Sequence, residues 1–372
     1  MKFFHLADLH LGIRVNEFSM IDDQRHILGE ILRLAETHKP QAVLIAGDVY
    51  DKATPTTEAV KLLGDFLVGL SRLNIAVYMI PGNHDNAERL AFAAPLLENS
   101  GLYIAQAYNG EIAHFSATDD FGNLNFWLLP YIKPAAVRQF FPENTIKSYN
   151  DAVAAVLQNA YNKIDRSQRN ILLAHQFITG ATTSQSEEIY IGGLENVNAE
   201  LFAAFDYVAL GHLHRPQAIL RDSLRYSGTP LKYSLSEVSH EKTVTVVDIL
   251  QKGDLKIAEL PLNPVKNMQE IKGKFAEISQ NATNDYVYIT LTDELEEPHA
   301  ISRLQRIFPN LMKLQYENSR TKAEFSPKAA VNTKLPLDLL QELYTAQNGS
   351  SMTAEQADYS ADLLQKIKED LI

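Results

Sequence analysis

The stretch Val77-Tyr78-Met79-Ile80-Pro81-Gly82-Asn83-His84-Asp85 decides the fold class of this chain. A short apolar run that stops at a Pro-Gly pair is typical of a buried strand that ends abruptly. The pattern therefore predicts Asn83, His84 and Asp85 just beyond the carboxyl end of a strand, where open α/β sheets bind their ligands. This stretch alone equally supports an ordinary polar turn with a surface histidine, so the rest of the chain has to decide.

The preceding sequence predicts two more strands of the same sheet. Short apolar runs alternate with segments in which apolar residues recur at helical spacing. In chain order the predicted strands and helices are residues 3–7, 20–38, 42–46, 57–73 and 77–80. Strand, helix, strand, helix, strand is the pattern of a parallel sheet with right-handed crossovers.

The following sequence predicts further elements before the strand-end pattern returns. Residues 88–98 are predicted to be a helix, and short apolar pieces within 102–129 predict antiparallel strands of a second sheet. Helical spacing returns at 149–164. Residues 176–198 are long, polar and rich in Ser, Thr and Gly, which is typical of an active-site loop.

Five predicted strands end in residue types that bind metals. Residues 171–174 run into His175, and 207–210 run into Gly211-His212-Leu213-His214. The two-residue spacing within Asp8-x-His10 and His212-x-His214 directs both side chains of each pair to one side if the strand geometry persists. The five strand ends carry Asp8 and His10, Asp48, Asn83 and His84, His175, and His212 and His214. Their agreement with the predicted strand-to-loop context favours a metal site over a set of ordinary turn residues.

Composition limits the chemistry of this site. The 372 residues suggest two to three domains and contain no cysteine, so a metal must be held by N and O ligands, which favours Mn²⁺, Mg²⁺, Fe or Zn. The net charge of −12 argues against broad adhesion to nucleic acid or anionic membranes, but not against a nucleic-acid enzyme with divalent metals. The sequence has no signal-peptide pattern and no apolar run near the ~20 residues of a membrane span. We therefore expect a cytoplasmic protein without a membrane partner.

The ordered motifs D-x-H, G-D, G-N-H-D, H and G-H-x-H resemble those of the calcineurin-like metallophosphoesterases over residues 1–230. Segments 5–12, 47–51, 205–214 and 226–231 look like those of the SbcD group, the nuclease subunits of bacterial SbcCD complexes. The resemblance implies an α/β fold, namely a four-layer αββα sandwich with a small α+β capping domain and C-terminal helices. Asp51 departs from family members that carry a histidine there, which leaves the balance of exonuclease and endonuclease activity open.

Phosphodiester hydrolysis near neutral pH needs an activated water and stabilisation of the phosphoryl oxygens, which two cations ~3.5–4 Å apart supply. Asp48 is the natural bridge, because each carboxylate oxygen can bind one metal. The resemblance assigns the ligands of one metal as Asp8, His10, Asp48 and His214, and those of the other as Asp48, Asn83, His175 and His212. It also suggests Mn²⁺, with Mg²⁺ as the alternative.

His84 is left without a metal in this assignment. A histidine near its ordinary pKa can donate a proton to the leaving alkoxide. We expect Asp85 to hold the His84 ring by a hydrogen bond, with Asp85 bonded to its own backbone as the alternative. We also predict that His84→Ala retains both metals and loses most activity, whereas Asp48→Ala loses metal.

The chain divides into three predicted domains. Residues 1–260 form the nuclease domain, 261–330 a DNA-capping domain and 331–372 a C-terminal helical segment that binds a partner. The capping domain is predicted from a strand at 285–291, a helix at 299–308 and a strand at 312–316. Basic residues outnumber acidic ones in 303–334, which fits a solvated face and a DNA contact about equally well.

The C-terminal segment is predicted to contain two helices. They span 337–344 and 354–371, and the second begins at a capping box formed by Thr353 and Gln356. The second helix carries an apolar stripe formed by Leu363, Leu364, Ile367 and Leu371. The stripe either packs on the chain's own core or docks on the coiled coil of an SbcC-type ATPase, the position that the resemblance implies. In the docking case, alanine at Leu364 and Ile367 should weaken partner binding and spare hydrolysis.

These observations leave one leading function and two alternatives. The leading function is a two-metal DNA nuclease subunit with 3′-to-5′ double-strand exonuclease and single-strand or hairpin endonuclease activity. The resemblance adds a homodimer of nuclease subunits inside a heterotetramer with the SbcC-type ATPase. A small-molecule phosphodiesterase or phosphatase of the same fold is the enzymatic alternative. A scaffold with a vestigial site is disfavoured because every ligand position is intact.

Overall fold

The computed structural model describes residues 1–184, 187, 196–318, 336–348 and 350–371. The chain forms two compact units. The larger unit comprises Met1–Leu291 and Glu297–Gln315, and the smaller comprises Thr292–Glu296 and Tyr316–Ile372. All predicted metal ligands lie in the larger unit.

The first sheet of the larger unit is built around the strand that ends at Ile80. Its strands are β1 (Lys2–Leu6), β4 (Ala42–Ala46), β5 (Ala76–Ile80), β6 (Leu102–Ile104), β13 (Thr243–Ile249) and β14 (Leu255–Pro261). They lie in the order β14-β13-β1-β4-β5-β6, in which β1, β4, β5 and β6 are parallel and the other pairs antiparallel. Helices α1 (Ile21–His38) and α2 (Thr57–Arg72) make the predicted crossovers.

The second sheet also has six strands. They are β7 (Ala113–Asp119), β8 (Gly122–Leu129), β9 (Arg169–His175), β10 (Tyr207–Gly211), β11 (Gln217–Ile219) and β12 (Arg221–Tyr226). Their order is β11-β12-β10-β9-β8-β7, with antiparallel pairs at the two edges and parallel pairs between. The expectation that all strands of 102–129 join this sheet is wrong for β6. The Val77 N–H donates to the Gly101 carbonyl (2.8 Å), which ties the start of β6 to β5 in the first sheet.

The two sheets pack face to face and are covered by helices on their outer faces. Tyr78 of β5 stacks on Phe126 of β8, with ring centroids 3.8 Å apart, inside the layer of apolar side chains between the sheets. Ile31 of α1 and Phe66 of α2 are buried in the cluster on the outer face of the first sheet. Val156 is buried in the corresponding cluster on the second sheet. The predicted four-layer αββα arrangement is confirmed, and burial of these three apolar layers is its main stabilising contribution.

The remaining helices of the larger unit are mostly short. They are α3 (Ala87–Leu90), α4 (Ala94–Leu97), α5 (Pro134–Arg138), α6 (Tyr149–Tyr161), α7 (Phe275–Ile278) and α8 (Ala300–Gln305), with 3₁₀ turns at Glu98–Ser100, Ala199–Phe202 and Leu235–Glu237. A capping box of Ser148 and Asp151 starts α6. The single helix predicted at 88–98 is wrong, because Ala93 has φ 60° and Pro95 starts a new helix.

A small third sheet follows the two large ones in the sequence. It consists of β15 (Met268–Gly273), β16 (Tyr286–Leu291) and β17 (Leu311–Tyr316), in that order, with β15 and β16 parallel across α7. A hairpin of β2 (Arg14–Val15) and β3 (Phe18–Ser19) contacts it. The Tyr286 hydroxyl donates to Asp23 on α1 (2.7 Å), and Asn16 donates to the Tyr288 hydroxyl (2.6 Å). The third sheet is therefore anchored beside the loop that follows His10.

The smaller unit contains the two predicted C-terminal helices, Pro336–Asn348 and Ala354–Leu371. The predicted capping box is present, because the Thr353 N–H donates to Gln356 (2.9 Å) and the Gln356 N–H donates to Thr353 (3.3 Å). Residues 319–335, which include part of the basic stretch 303–334, lie outside the described residues. No helix among those described combines the length and the apolar character needed to cross a membrane.

Candidate metal centre

The carboxyl ends of five strands meet at one edge of the sandwich and bring the predicted ligands together. β1, β4 and β5 contribute from the first sheet, and β9 and β10 from the second. The His175 Nδ1–H donates to the Ala46 carbonyl (2.8 Å), so the two sheets are joined at this edge. Six of the seven predicted metal ligands are buried and Asn83 is half-buried.

Four of these residues have a left-handed backbone. The φ angles are 53° at Asp8, 43° at His10, 48° at Asp48 and 103° at His212. Such conformations cost about 1–3 kcal/mol each and persist only where the surroundings enforce them. Here the Asp8 N–H donates to the Gly47 carbonyl (3.0 Å) and the His10 N–H donates to the Asp48 carbonyl (2.9 Å). These bonds join the ends of β1 and β4. Backbone strain at neighbouring polar residues is a mark of a functional site.

Asp48 lies at the centre of the cluster. Its Oδ2 atom is 3.3 Å from His175 Nε2, 3.7 Å from His10 Nε2 and 3.9 Å from His84 Nε2. Its Oδ1 atom accepts the backbone N–H of His84 (2.9 Å). One carboxylate therefore reaches imidazoles from both sheets.

Two groups of donor atoms lie close to Asp48. In the first, His10 Nε2 and His214 Nε2 are 3.2 Å apart. In the second, Asn83 Oδ1 is 3.0 Å from both His175 Nε2 and His212 Nδ1. Asp8 and Asp48 each offer an oxygen within 4.8 Å of a His175 ring nitrogen. Within the described residues, Asp8 Oδ2 and His10 Nδ1 are buried without a hydrogen-bond partner. Converging imidazole, carboxylate and amide donors with orphaned buried atoms fit divalent metals that take N and O ligands.

Burial and neighbouring charges raise the pKa of some groups of the cluster and lower that of others. Burial raises the pKa of Asp8 to about 7 against the opposing charge of His175. Burial would raise the pKa of Asp48 as well, but His175 above all holds it well below its ordinary range. Burial would lower the pKa of His175, but Asp48 and Asp8 raise it to about 9. Buried groups that shift one another in this way are concentrated at functional sites.

The ring of His84 is held by a main-chain carbonyl and not by Asp85. The His84 Nδ1–H donates to the Asp51 carbonyl (2.9 Å), which leaves Nε2 on the side of Asp48. Asp85 instead accepts the N–H groups of Val49 (3.0 Å), Tyr50 (2.9 Å) and Gly82 (2.9 Å). The expectation that Asp85 orients the His84 ring is therefore wrong, because backbone donors take both of its oxygens. Asp85 ties the loop after β4 to the turn after β5.

Two glycines allow the strand ends to approach closely. A Cβ atom on Gly82 would lie 2.1 Å from Asp48 Oδ1, and one on Gly211 would lie 1.9 Å from the Ala46 carbonyl oxygen. Real Cβ atoms do not make such contacts. The glycines in the G-N-H-D and G-H-x-H motifs are thus required by packing at the site, whatever they contribute to turn formation.

Several residues that support the centre carry no motif and were not found by sequence analysis. Gln24 Nε2 donates to the His10 carbonyl (2.8 Å), and the Tyr233 hydroxyl donates to the Leu9 carbonyl (2.8 Å). Glu237 contacts His214. In the predicted active-site loop, of which 185–186 and 188–195 lie outside the described residues, Glu187 accepts the His214 backbone N–H (2.7 Å). Two predictions came near these residues: the loop 176–198 contains Glu187, and the quoted segment 226–231 precedes Tyr233 and Glu237.

Comparison with known proteins shows the family of the chain. A family model for the calcineurin-like phosphoesterases matches residues 1–216, which is more than half of the chain, and the chain therefore belongs to that family. A second model, of the SbcD C-terminal type and described as the type 5 capsule protein repressor C-terminal domain, matches residues 264–348.

A curated relative narrows the comparison. The SbcD subunit of the nuclease SbcCD from Staphylococcus epidermidis is 34% identical over 321 residues, covering 84% of this chain and 85% of that protein. The chain is thus an SbcD homologue, as the motifs predict.

Solved structures that are similar to this chain include a dimetal phosphatase from Danio rerio, with 13% identity and a TM-score of 0.43 over 70% of this chain and 95% of that one. They also include an archaeal phosphodiesterase, with 11% identity and a TM-score of 0.31 over 70% of this chain and 100% of that one.

Proposed function

We propose that this chain is the nuclease subunit of an SbcCD-type complex and hydrolyses DNA phosphodiester bonds with two divalent metals. The observation that carries the proposal is the position of Asp48, whose carboxylate lies within 4 Å of histidines from both sheets. The relationship to the SbcD subunit of the staphylococcal nuclease supports DNA as the substrate. The proposed activities are 3′-to-5′ exonuclease on duplex DNA and endonuclease on single strands and hairpins, in the cytoplasm.

The donor groups described above suit two metals, and we assign the ligands accordingly. Asp8, His10, Asp48 and His214 would hold one metal, and Asp48, Asn83, His175 and His212 the other. Mn²⁺ suits this mixture of imidazole and oxygen donors, with Mg²⁺ as the alternative. When bound, such a pair supplies charge stabilisation for the phosphoryl oxygens and a nucleophilic water at neutral pH.

His84 is the proposed general acid. Its side chain is 20% exposed, so a substrate can reach the ring, whereas that of Asp48 is 3% exposed. The Asp51 carbonyl accepts from Nδ1–H in both the neutral and the protonated ring, so it fixes the orientation without removing the proton from Nε2. The protonated Nε2 can then donate to the leaving alkoxide.

We assign the third sheet to DNA capping, within the proposed domain 261–330. Its anchorage through Tyr286 to Asp23 and through Tyr288 to Asn16 places it beside the loop that follows His10. Arg303, the first basic residue of 303–334, pairs with Glu297 (2.9 Å) and lies 4.1 Å from the Phe275 ring centroid. These contacts support a structural role for Arg303. The assignment of the third sheet to DNA capping rests on the position of the sheet.

The test is hydrolysis of linear and hairpin DNA with Mn²⁺, with and without the SbcC-type ATPase and ATP. A nitrophenyl phosphodiester serves as the small-substrate control. We expect metal-dependent cleavage of both DNA forms, increased by the ATPase and ATP. Hydrolysis of the nitrophenyl substrate without cleavage of DNA under any of these conditions would favour the small-molecule phosphodiesterase and reject the nuclease.

The C-terminal segment 331–372 is the proposed site for the coiled coil of the ATPase. Tyr359 and Leu363 lie four residues apart on one helix face and are 69% and 45% exposed. Leu343 on the preceding helix is 55% exposed. Leu364 is half-buried, and the side chains of Ile367 and Leu371 lie outside those described. Exposed apolar residues at this spacing suit a helical partner.

Replacing both Tyr359 and Leu363 by alanine should weaken ATPase binding by about tenfold or more, because apolar anchors carry most of the energy of such contacts. Isothermal titration with the partner measures this effect. Glu355→Ala, an exposed change on the same helix, is the control. Mn²⁺-dependent hydrolysis of the nitrophenyl substrate should be unchanged, and equal affinity of all three proteins for the ATPase would exclude this docking site.

The proposed homodimer is supported by an apolar patch after the catalytic turn. Phe92, in the turn between α3 and α4, is 81% exposed, and Leu96, on α4, is 76% exposed. Sedimentation should give a dimer for the parent chain and a monomer for Phe92→Ser/Leu96→Ser. Leu220→Ser removes an equally exposed leucine and should remain dimeric. A dimeric double variant would show that the subunits associate elsewhere.

A further inference from the structure

A buried ion pair stands directly behind His214. The carboxylate of Glu237 is fully buried, with its Oε1 atom 3.2 Å from His214 Nδ1 and its Oε2 atom 2.5 Å from Lys242 Nζ. The ammonium of Lys242 also donates to the His214 carbonyl (2.9 Å) and to Thr229 Oγ1 (2.5 Å). Side chain and main chain of His214 are therefore held by one charged network.

This contact fixes which ring nitrogen of His214 is available. The ionised Glu237 can only accept, so the His214 Nδ1–H donates to it and the neutral ring has its lone pair on Nε2. That Nε2 atom lies 3.2 Å from His10 Nε2, in the donor group of one proposed metal. Lys242 compensates the carboxylate charge and keeps it directed at the ring.

The histidines of the other proposed metal do not have a carboxylate placed in this way among the described residues. The His175 Nδ1–H donates to a neutral main-chain carbonyl, that of Ala46 (2.8 Å). His212 turns its Nδ1 atom towards the metal group itself, where it lies 3.0 Å from the Asn83 amide oxygen. Among the ligand histidines in the described part of the chain, only His214 has a carboxylate bonded to the ring nitrogen that faces away from its metal group. A carboxylate behind a ligating imidazole makes it a stronger donor and fixes its orientation.

We propose that Glu237, held by Lys242, is a positioning residue that makes the two metal subsites unequal. The subsite of Asp8, His10, Asp48 and His214 binds its metal first and more tightly, and the subsite of Asn83, His175 and His212 fills second. This inference deepens the proposed function and rests on its two-metal centre.

The experiment is a Mn²⁺ titration of the full chain by calorimetry, together with electron paramagnetic resonance at one equivalent of metal. The parent chain should show two binding steps, with the spectrum of an isolated Mn²⁺ after the first. Glu237→Gln should weaken the tighter step by about 10- to 100-fold, the effect typical of removing such a partner, and leave the weaker step in place. The first equivalent should then be shared between the subsites.

Because Glu237→Gln leaves a buried ammonium unpaired, Glu237→Gln/Lys242→Met provides a second variant in which both charges are removed. Glu237→Asp, which keeps the charge, should restore part of the affinity. Glu259→Gln breaks the ion pair with Arg225 elsewhere in the larger unit and should leave both steps unchanged.

The outcomes separate the two proposals. A parent chain that binds no Mn²⁺ overturns the proposed two-metal function itself. If the parent binds two Mn²⁺ ions but folded Glu237 variants show the same two steps, or lose both equally, the two-metal site stands and the role of Glu237 is rejected.

Discussion

Replacing His84 by alanine is expected to reduce phosphodiester hydrolysis by about 10²- to 10⁴-fold, the contribution typical of a general acid, while both metals remain bound. The expectation follows from the Asp51 carbonyl, which holds the ring on one side of the cluster, and from the exposure of the His84 side chain. Asp48→Ala should instead lose metal and activity together, because its carboxylate reaches donor groups of both subsites.

Bound Mn²⁺ measured by elemental analysis, beside the rate on the nitrophenyl phosphodiester, distinguishes the two variants. His26→Ala is the matched control, since its ring bonds the Asn263 carbonyl at the surface (3.1 Å). His84 Nε2 is also close enough to Asp48 and His10 to complete a ligand group. Loss of metal from His84→Ala to the same degree as from Asp48→Ala would make His84 a ligand and contradict its role as proton donor.

Replacing Gly211 by alanine is expected to destabilise the fold by about 3 kcal/mol, at the upper end of what overpacking costs. The new Cβ would meet the Ala46 carbonyl oxygen at 1.9 Å and His175 Nδ1 at 2.8 Å. Ala46 is on β4 and Gly211 on β10, so relief of the contact has to separate the two sheets at the edge where the proposed ligands lie. Both stability and Mn²⁺ binding should fall.

Denaturant unfolding with and without a chelator measures the two effects. Gly64→Ala is the matched control, because a Cβ there meets no atom within 4 Å and the residue lies inside α2. That substitution should stabilise the protein by about 0.5–1 kcal/mol, since alanine is the better helix former. Equal stability of Gly211→Ala and the parent chain would show that the strands can separate at little cost.

The fold was predictable where local sequence and sheet geometry agree. The apolar run of β4 and the helical spacing of α1 and α2 mark real elements. Parallel strands end at a common edge, so the proposed ligands converge. The pairing of β6 with β5 was not predictable, because three residues carry no information on which sheet they join. Strand β14 was missed because its half-exposed pattern lacks a continuous apolar run.

Within the site, the residue types that approach the centre were predictable, but the contacts that hold them were not. Asp85 bonds three backbone N–H groups, and such donors have no sequence signature. Gln24 and Glu237 reach the centre from a helix and a 3₁₀ turn that only tertiary packing brings near. Motif spacing therefore locates the proposed ligands on strand ends but carries no information about the groups that orient them.

Because the donor atoms are divided between the two sheets, metal binding would contribute to the stability of the sandwich. Asp8, His10, Asp48 and Asn83 follow strands of one sheet, and His175, His212 and His214 belong to the other. A ligand that binds only the folded chain adds about 2.7 kcal/mol at 100 times its dissociation constant. For this chain that thermodynamic linkage would act across the sheet–sheet interface, so removal of the metal would lower the free energy of unfolding as well as the activity.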